Sequence, residues 1–263
     1  MKIVCIIQAR ISSSRLPAKI LLPGYDKPLL LHLIERLEKS KLINDVVVAT
    51  SNNPLDDLIF DLCTLKKIKV FRGNLNNLLD RYYKCAKIYK ADHVVRITSD
   101  CPLIDPKIID KMIKKYLSLK NIDFLSNTHP PTFPDGFDIE IFKFSALQKA
   151  FRNAKKSYEK EHVTPFIWDN PKNFRLFNYS LKNDNLYKQY RLTLDYKEDF
   201  FVIWSIFNKL YRRKRFFELK HIIKFLKKNP KILKNNHLIK VNWYMNHYKS
   251  LKTISNKDFK KIN

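Results

Sequence analysis

The residues best suited to chemistry in this 263-residue chain form a short basic stretch, Arg10, Arg15 and Lys19, with Ser12, Ser13 and Ser14 between them. Three fixed positive charges and three hydroxyls within ten residues suit a polyphosphate, whose oxygens take both charge and hydrogen bonds. The stretch lacks the glycines of a Walker loop and those of a dinucleotide fingerprint. Asp100 and Asp195 each close an apolar run. Carboxylates at the ends of two strands can converge on one hard divalent cation that also touches substrate phosphates. An anionic, metal-bound ligand lying between these acids and the three cations would satisfy both sets of charges. A third polar group, Asp138, Glu140, Glu159, Glu161 and His162, could bind a hydroxylated, amino-substituted partner such as a sugar.

Apolar runs and turn residues define the elements that must hold these groups. Lys2-Ile3-Val4-Cys5-Ile6-Ile7-Gln8 reads as a buried parallel strand that empties into the basic stretch. Pro28, followed by Leu29, Leu30, Leu33, Ile34 and Leu37 on one face, predicts a helix over 28–40. Strands over 45–50, 69–71 and 93–97 then alternate with helices over 55–65, 78–90 and 106–119. This alternation predicts an α/β fold, a mostly parallel sheet flanked by helices with right-handed crossovers. Ligands of such sheets sit beyond the carboxyl ends of the strands, so the loops after Gln8 and Ile97 should meet.

Later the pattern changes. A strand over 124–128 and a proline-rich loop precede Phe137 to Phe142, whose period of two would project Asp138 and Glu140 from one strand face. A helix over 145–155, an acidic turn over 158–165 and a strand over 190–194 follow. The stripe Leu219, Ile222, Ile223 and Leu226 makes 210–240 a basic helical part of one domain spanning 1–240, and 241–263 reads as a loosely held basic tail.

The bulk properties narrow the partners. The net charge is +26, yet 16 of the 51 basic residues lie from Tyr211 onward, against two acids, Glu218 and Asp258. The lysine excess accompanies abundant Asn, Ile and Phe and only three glycines, and it reads as compositional bias. Nucleic acid is therefore not an expected partner. Four cysteines without a CxxC pair argue against zinc and disulfides and for reduced thiols in the cytoplasm. No run reaches the ~18 apolar residues of a membrane span, and the N-terminal run stops too early for a signal peptide.

Several ordered stretches carry a resemblance. Ile6-Ile7-Gln8-Ala9-Arg10, Ser14-Arg15-Leu16-Pro17-Ala18-Lys19 and Lys27-Pro28-Leu29-Leu30 resemble the opening motif of the CMP-sugar synthetases, the cytidylyltransferases of acylneuraminate and 3-deoxy-ulosonate sugars. The branch typified by spore coat polysaccharide biosynthesis protein F is the nearest in pattern. Val46 to Ser51, Leu79-Asp80-Arg81-Tyr82-Tyr83, Val95 to Asp105, Pro134 to Glu140 and Glu161 to Pro165 continue the similarity, which covers about residues 3 to 240.

The resemblance implies a nucleotide-diphospho-sugar transferase fold, GT-A-like and Rossmann-related, with CTP over the first loop. It implies that Gln8, Ala9, Arg10, Arg15, Lys19 and Arg81 bind the nucleotide, with Arg15, Lys19 and Asp100 catalytic. Asp100 and Asp195 would hold Mg²⁺, and Asp135, Asp138, Glu140, Glu161 and His162 would face an acidic or amino sugar. A homodimer is the family expectation. A sugar hydroxyl would attack the α-phosphorus of CTP and release pyrophosphate. Ala18 and Ser99 stand where relatives carry glycine, and Tyr196-Lys197 replaces Thr-Pro. Two alternatives remain open: a glycosyltransferase of the same fold, and a non-catalytic protein that binds nucleic acid or an anionic surface through its basic end.

Overall fold

The computed structural model describes residues 1–182, 185–212, 216–236 and 251–253. Its elements run β1 Ile3–Gln8, α1 Leu29–Leu37, β2 Asp45–Ser51, α2 Asp57–Leu65, β3 Lys69–Gly73, α3 Leu78–Ile88, β4 His93–Thr98 and α4 Pro106–Ser118. The second half adds β5 Phe124–Ser126, β6 Glu140–Lys143, α5 Phe144–Asn153, α6 Ser157–His162, α7 Pro165–Trp168, β7 Leu176–Asn178, α8 Lys197–Ile206 and α9 Leu219–Lys228. The strands form one seven-stranded sheet in the order β3-β2-β1-β4-β6-β5-β7. Only β6 runs antiparallel to its neighbours, and the other pairings are parallel.

β1 is the hinge of this order. It pairs with β2 on one side and β4 on the other, and Gln8 and Thr98 lie at the same level of the β1–β4 register. The chain thus winds outward from β1 in one direction and then restarts beside it, which opens a crevice at the carboxyl ends of β1 and β4. Side chains of β1 alternate between two apolar layers. Cys5 and Ile7 join the layer containing α1, α4 and α9, while Val4 and Ile6 join the layer containing α3 and α5. Burial on both faces is what a continuous apolar run requires of a parallel strand.

Local signals set the helix starts near the crevice. Asn77 accepts from Asp80 N at 3.0 Å and opens α3, while Asp105 accepts from Lys107 N at 2.9 Å and places Pro106 in the first turn of α4. Buried Arg36 on α1 fixes the segment before α4. Its guanidinium donates to the carbonyls of Leu103, Ile104 and Phe217 at 3.1, 2.8 and 2.9 Å.

The second half departs from its sequence pattern in several places. The period-two stretch becomes a strand only from Glu140, so Asp138 lies in the preceding loop and the two acids do not share a strand face. The expected acidic turn is helical, because Glu159 accepts from Lys155 N and Lys156 N at 3.0 Å each and starts α6. The expected strand over 190–194 is an extended segment with a single bridge, Asp135 to Arg191, since it lies against loop backbone around Asp100 and Asp135. Short β7 and helix α8 were not anticipated. Of the expected tail only 251–253 are described, and these are held: Lys252 N and Thr253 N donate to buried Asp169 at 2.7 and 2.8 Å. The rest of the tail lies outside the described residues. Among the described residues no helix is long and apolar enough to cross a membrane.

Candidate active site

A pocket of about 750 Å³ opens at the carboxyl ends of β1 and β4. Residues from both loops expected to meet there line it, including Gln8, Arg15, Lys19 and Asp100. The first loop is folded on itself by Ala18 N donating to Ile11 O at 3.1 Å. Buried Asp56 ties it to the end of β2, accepting from Ile11 N at 2.7 Å and from the Ser51 hydroxyl. Ala18 itself sits at φ 52, ψ 22, in the left-handed region where a Cβ costs ~1–2 kcal/mol. That conformation is one that glycine adopts without such a cost.

Lys19 is the centre of the site. Its Nζ lies 3.2 Å from Asp100 Oδ2 and 2.8 Å from Asp195 Oδ1, and Arg15 NH2 reaches the same Asp195 oxygen at 2.7 Å. Burial alone would lower the Lys19 ammonium, but Asp100 and Asp195 outweigh it and raise its pKa. Burial would likewise raise Asp195, yet Lys19 and Arg15 hold its carboxyl below the usual carboxylate range. The hydrogen bond to Asp195 is the main cause of the raised pKa of Arg15.

Two carboxylates from distant segments therefore already share one cation. Among the described residues no group of three or more His, Cys, Asp or Glu could hold a metal by itself. The pair fits a hard divalent ion that draws its other ligands from phosphate oxygens and water, the usual manner for Mg²⁺.

Arg10 and Arg81 behave differently. Arg10 is exposed on the pocket rim, and among the described residues it has no acidic partner. Arg81 is buried and donates to the carbonyls of Asn74 and Leu75, at 2.7 and 3.1 Å, and of Ala49 at 3.5 Å. It lines the pocket as a clamp on the wall beside Ala9, which is itself buried with its N–H bonded to Ala49 O.

Across the pocket the expected sugar-facing acids all line the wall, but their partners differ. Glu140 is spent on structure: Arg96 NH1 reaches one oxygen at 2.5 Å and Thr164 Oγ1 donates to the other at 2.8 Å. Asp135 pairs with Arg191 NH1 at 2.7 Å. Burial nevertheless pushes its carboxyl up to about 6, because Arg191 divides its charge among Asp135, Asp195 and Asp199 and the acids nearby add repulsion. Asp138, desolvated beside Asp135 and Asp100, is raised well above its ordinary value. Gly136 allows this crowding: at φ 94, a Cβ there would meet the backbone of Leu192 and Thr193 at 2.5 Å. Glu161 is exposed and His162 half-buried at the end of α6. Val163 follows at φ 72, ψ −55, a strained γ-turn closed by Thr164 N donating to His162 O at 2.8 Å. Glu159, buried in its helix cap, leaves this group.

Four residues that shape the site were not singled out beforehand. Arg96 faces Glu140 in the β4–β6 register and donates from Nε to Gln8 Oε1 at 3.2 Å, which orients that side chain. An arginine inside Val-Val-Arg-Ile-Thr was the available signal, since a charge in a central strand demands a buried partner. Arg191 and Asp199 form the second case. Asp199 takes Arg191 at 3.0 and 3.1 Å and also accepts from Asp195 N and Tyr196 N at 3.0 Å each, fixing the loop that presents Asp195. Asp56 resembled an ordinary helix-start residue.

The sequence profile of the cytidylyltransferases matches residues 4–250. The Bacillus subtilis spore coat polysaccharide biosynthesis protein SpsF is 32% identical over 233 residues, covering 87% of this chain and 95% of its own. The 3-deoxy-manno-octulosonate cytidylyltransferase of Chloroherpeton thalassium is 36% identical over 117 residues, 44% of this chain and 47% of its own. A solved cytidylyltransferase from Leptospira borgpetersenii superposes with a TM-score of 0.83 at 39% identity, covering 92% of this chain and 99% of that one. With its sheet order, its crevice at β1 and β4 and these matches, the chain belongs to the cytidylyltransferase family.

Proposed function

We propose that the chain transfers CMP from CTP to a hydroxyl of an acidic or amino sugar, releasing pyrophosphate and supplying a CMP-sugar for surface polysaccharide. The observation that carries this reading is Lys19 held between Asp100 and Asp195 at the mouth of a cationic loop. The relatives named for spore coat polysaccharide and for 3-deoxy-manno-octulosonate support the product class. We infer a cytoplasmic reaction carried out by a homodimer.

In this reading Arg10, Arg15 and Lys19 bind the triphosphate, and Arg15 and Lys19 stabilise the charge on departing pyrophosphate. Gln8, oriented by Arg96, and Ala9 with Arg81 form the wall against which the nucleoside lies. Asp100 and Asp195 would hold Mg²⁺, which supplies neutralisation of phosphate charge when bound. Asp135 and Asp138 orient the acceptor's hydroxyls, with Glu161 and His162 on the rim. Glu140 acts through Arg96 by keeping that wall rigid. Arg191 and Asp199 hold Asp195 in place.

Pyrophosphate release is the test. The four nucleoside triphosphates are each offered with a panel of ulosonic acids and amino sugars, and release is expected with CTP plus at least one sugar. Release independent of the base would overturn the CTP assignment. Product formed only from a preformed nucleotide sugar would point instead to glycosyl transfer.

A further inference from the structure

The two carboxylates assigned to the divalent ion are already bridged, and the bridge is a side chain that the reaction needs elsewhere. Lys19 Nζ donates to Asp100 Oδ2 at 3.2 Å and to Asp195 Oδ1 at 2.8 Å. Its side chain is 11% exposed, so the contact is sheltered from water. The backbone fixes its base. Ala18 turns the chain through the left-handed region, and Lys19–Leu21 follows as one tight turn whose Ile20 is fully buried. What remains free to move is the flexible four-carbon stem of the lysine.

An ammonium and a hard divalent ion ask for the same oxygens. Asp195 Oδ1 takes both Lys19 and Arg15, and its Oδ2 faces Arg191 at 3.4 Å. Both oxygens of Asp195 are therefore engaged by cations. Asp100 gives Oδ2 to Lys19 and accepts at Oδ1 from the Cys101 thiol, a weak donor 3.7 Å away. Mg²⁺ binds carboxylate oxygens at ~2.0–2.1 Å, and a like charge at hydrogen-bond distance from the same oxygens would repel it. Lys19 must leave for the ion to enter. The loop from Ala9 to Lys19 contains no acid that could receive it, whereas a triphosphate lying over that loop supplies one.

We infer that Lys19 excludes the divalent ion until a nucleotide binds. Its ammonium holds the Asp100–Asp195 pair in the free protein, and the triphosphate draws it away and opens the pair to the ion. This rests on the assignment of these two aspartates to Mg²⁺ in the reading above. The ion is then taken up with the nucleotide or after it, and none is held beside an empty loop.

The test uses Mn²⁺, an oxygen-seeking stand-in with a paramagnetic signal. It is titrated into the full chain without nucleotide, and the free ion is followed by electron paramagnetic resonance. Two charge-assisted hydrogen bonds hold Lys19, so Lys19→Met should bind Mn²⁺ roughly tenfold to a hundredfold more tightly than the parent. Lys19→Ala is expected to show the same gain and serves if Lys19→Met does not fold. Adding Asp195→Asn to either variant should remove the gain. With saturating α,β-methylene CTP, which cannot be cleaved at the α-phosphorus, the difference between parent and variant should close. Equal affinities without nucleotide, a gain that survives Asp195→Asn, or a difference that persists with the analogue overturns the inference. Pyrophosphate release keeps the two readings apart. Exclusion in a chain that releases none from CTP with any sugar removes nucleotidyl transfer alone, and equal Mn²⁺ affinities in a chain that does release it remove the exclusion alone.

Discussion

The side of the pocket that carries Arg15 and Asp100 leaves these two charges partly open while burying Lys19, whereas the side facing it buries and pairs Arg96 and Glu140. The side chains of Arg15 and Asp100 are 44% and 29% exposed, against 14% and 7% for Arg96 and Glu140. The two sides serve different needs. A multiply charged ligand must exchange solvent for protein contacts, which open charges on a braced loop permit. The opposite wall has to be rigid before the acceptor arrives, because preorganised dipoles stabilise charge without reorganising at the moment of reaction.

Breaking the buried pair should cost the most. Arg96→Met leaves Glu140 desolvated with only Thr164, and a loss of ~3–5 kcal/mol of unfolding free energy is expected by denaturant titration. Arg96→Met combined with Glu140→Leu should recover part of it; no recovery would show that the pair is not the cause. On the open wall, Asp100→Asn should leave stability nearly unchanged while pyrophosphate release falls by two orders of magnitude or more, ~2.7–4 kcal/mol of transition-state stabilisation. Wild-type turnover in that variant would falsify the role given to Asp100.

Asp135 sharpens the contrast through pH. Its folded pKa of about 6 exceeds the ordinary 3.8, so between these values the folded chain retains a proton that the unfolded chain has released. Stability must then fall as pH rises through that window. The melting temperature of the parent relative to Asp135→Asn should drop from pH 4 to pH 7; a difference that grows with pH would contradict the burial argument. The smallest effect is expected at Ala18. Ala18→Gly relieves the left-handed alanine and should add about 1 kcal/mol to stability, and an unchanged melting temperature would show that the loop holds no such strain.

Legibility in the sequence followed the same division. β1 to β4 and their helices were readable because each strand centres on a short apolar, mostly β-branched run close to a turn, broken only by Arg96 in β4, and because buried β1 permits little else. The meeting of the loops after β1 and β4, which brings Lys19 to Asp100, followed from strand ends, whereas Asp195 joins them from an extended segment that is not a strand. The acceptor wall was not readable in this way. Glu140 is set by Arg96, 44 positions away, β7 is three residues long, and the segment 190–194 finds loop backbone in place of a strand partner. Each of these depends on tertiary pairing that leaves no period in the sequence.

The buried guanidinium of Arg36 carries a consequence for hydrogen exchange. It is the shared donor for Leu103, Ile104 and Phe217, and Asp105 accepts from Leu219 N at 2.9 Å on the same side. Neither α4's entry nor the start of α9 can open without stripping a partner from the other, so the two should exchange as one cooperative unit with α1. The loop that carries Asp100 is thereby anchored to a helix more than a hundred residues downstream, and its slow-exchanging amides should share one protection factor with those of α9.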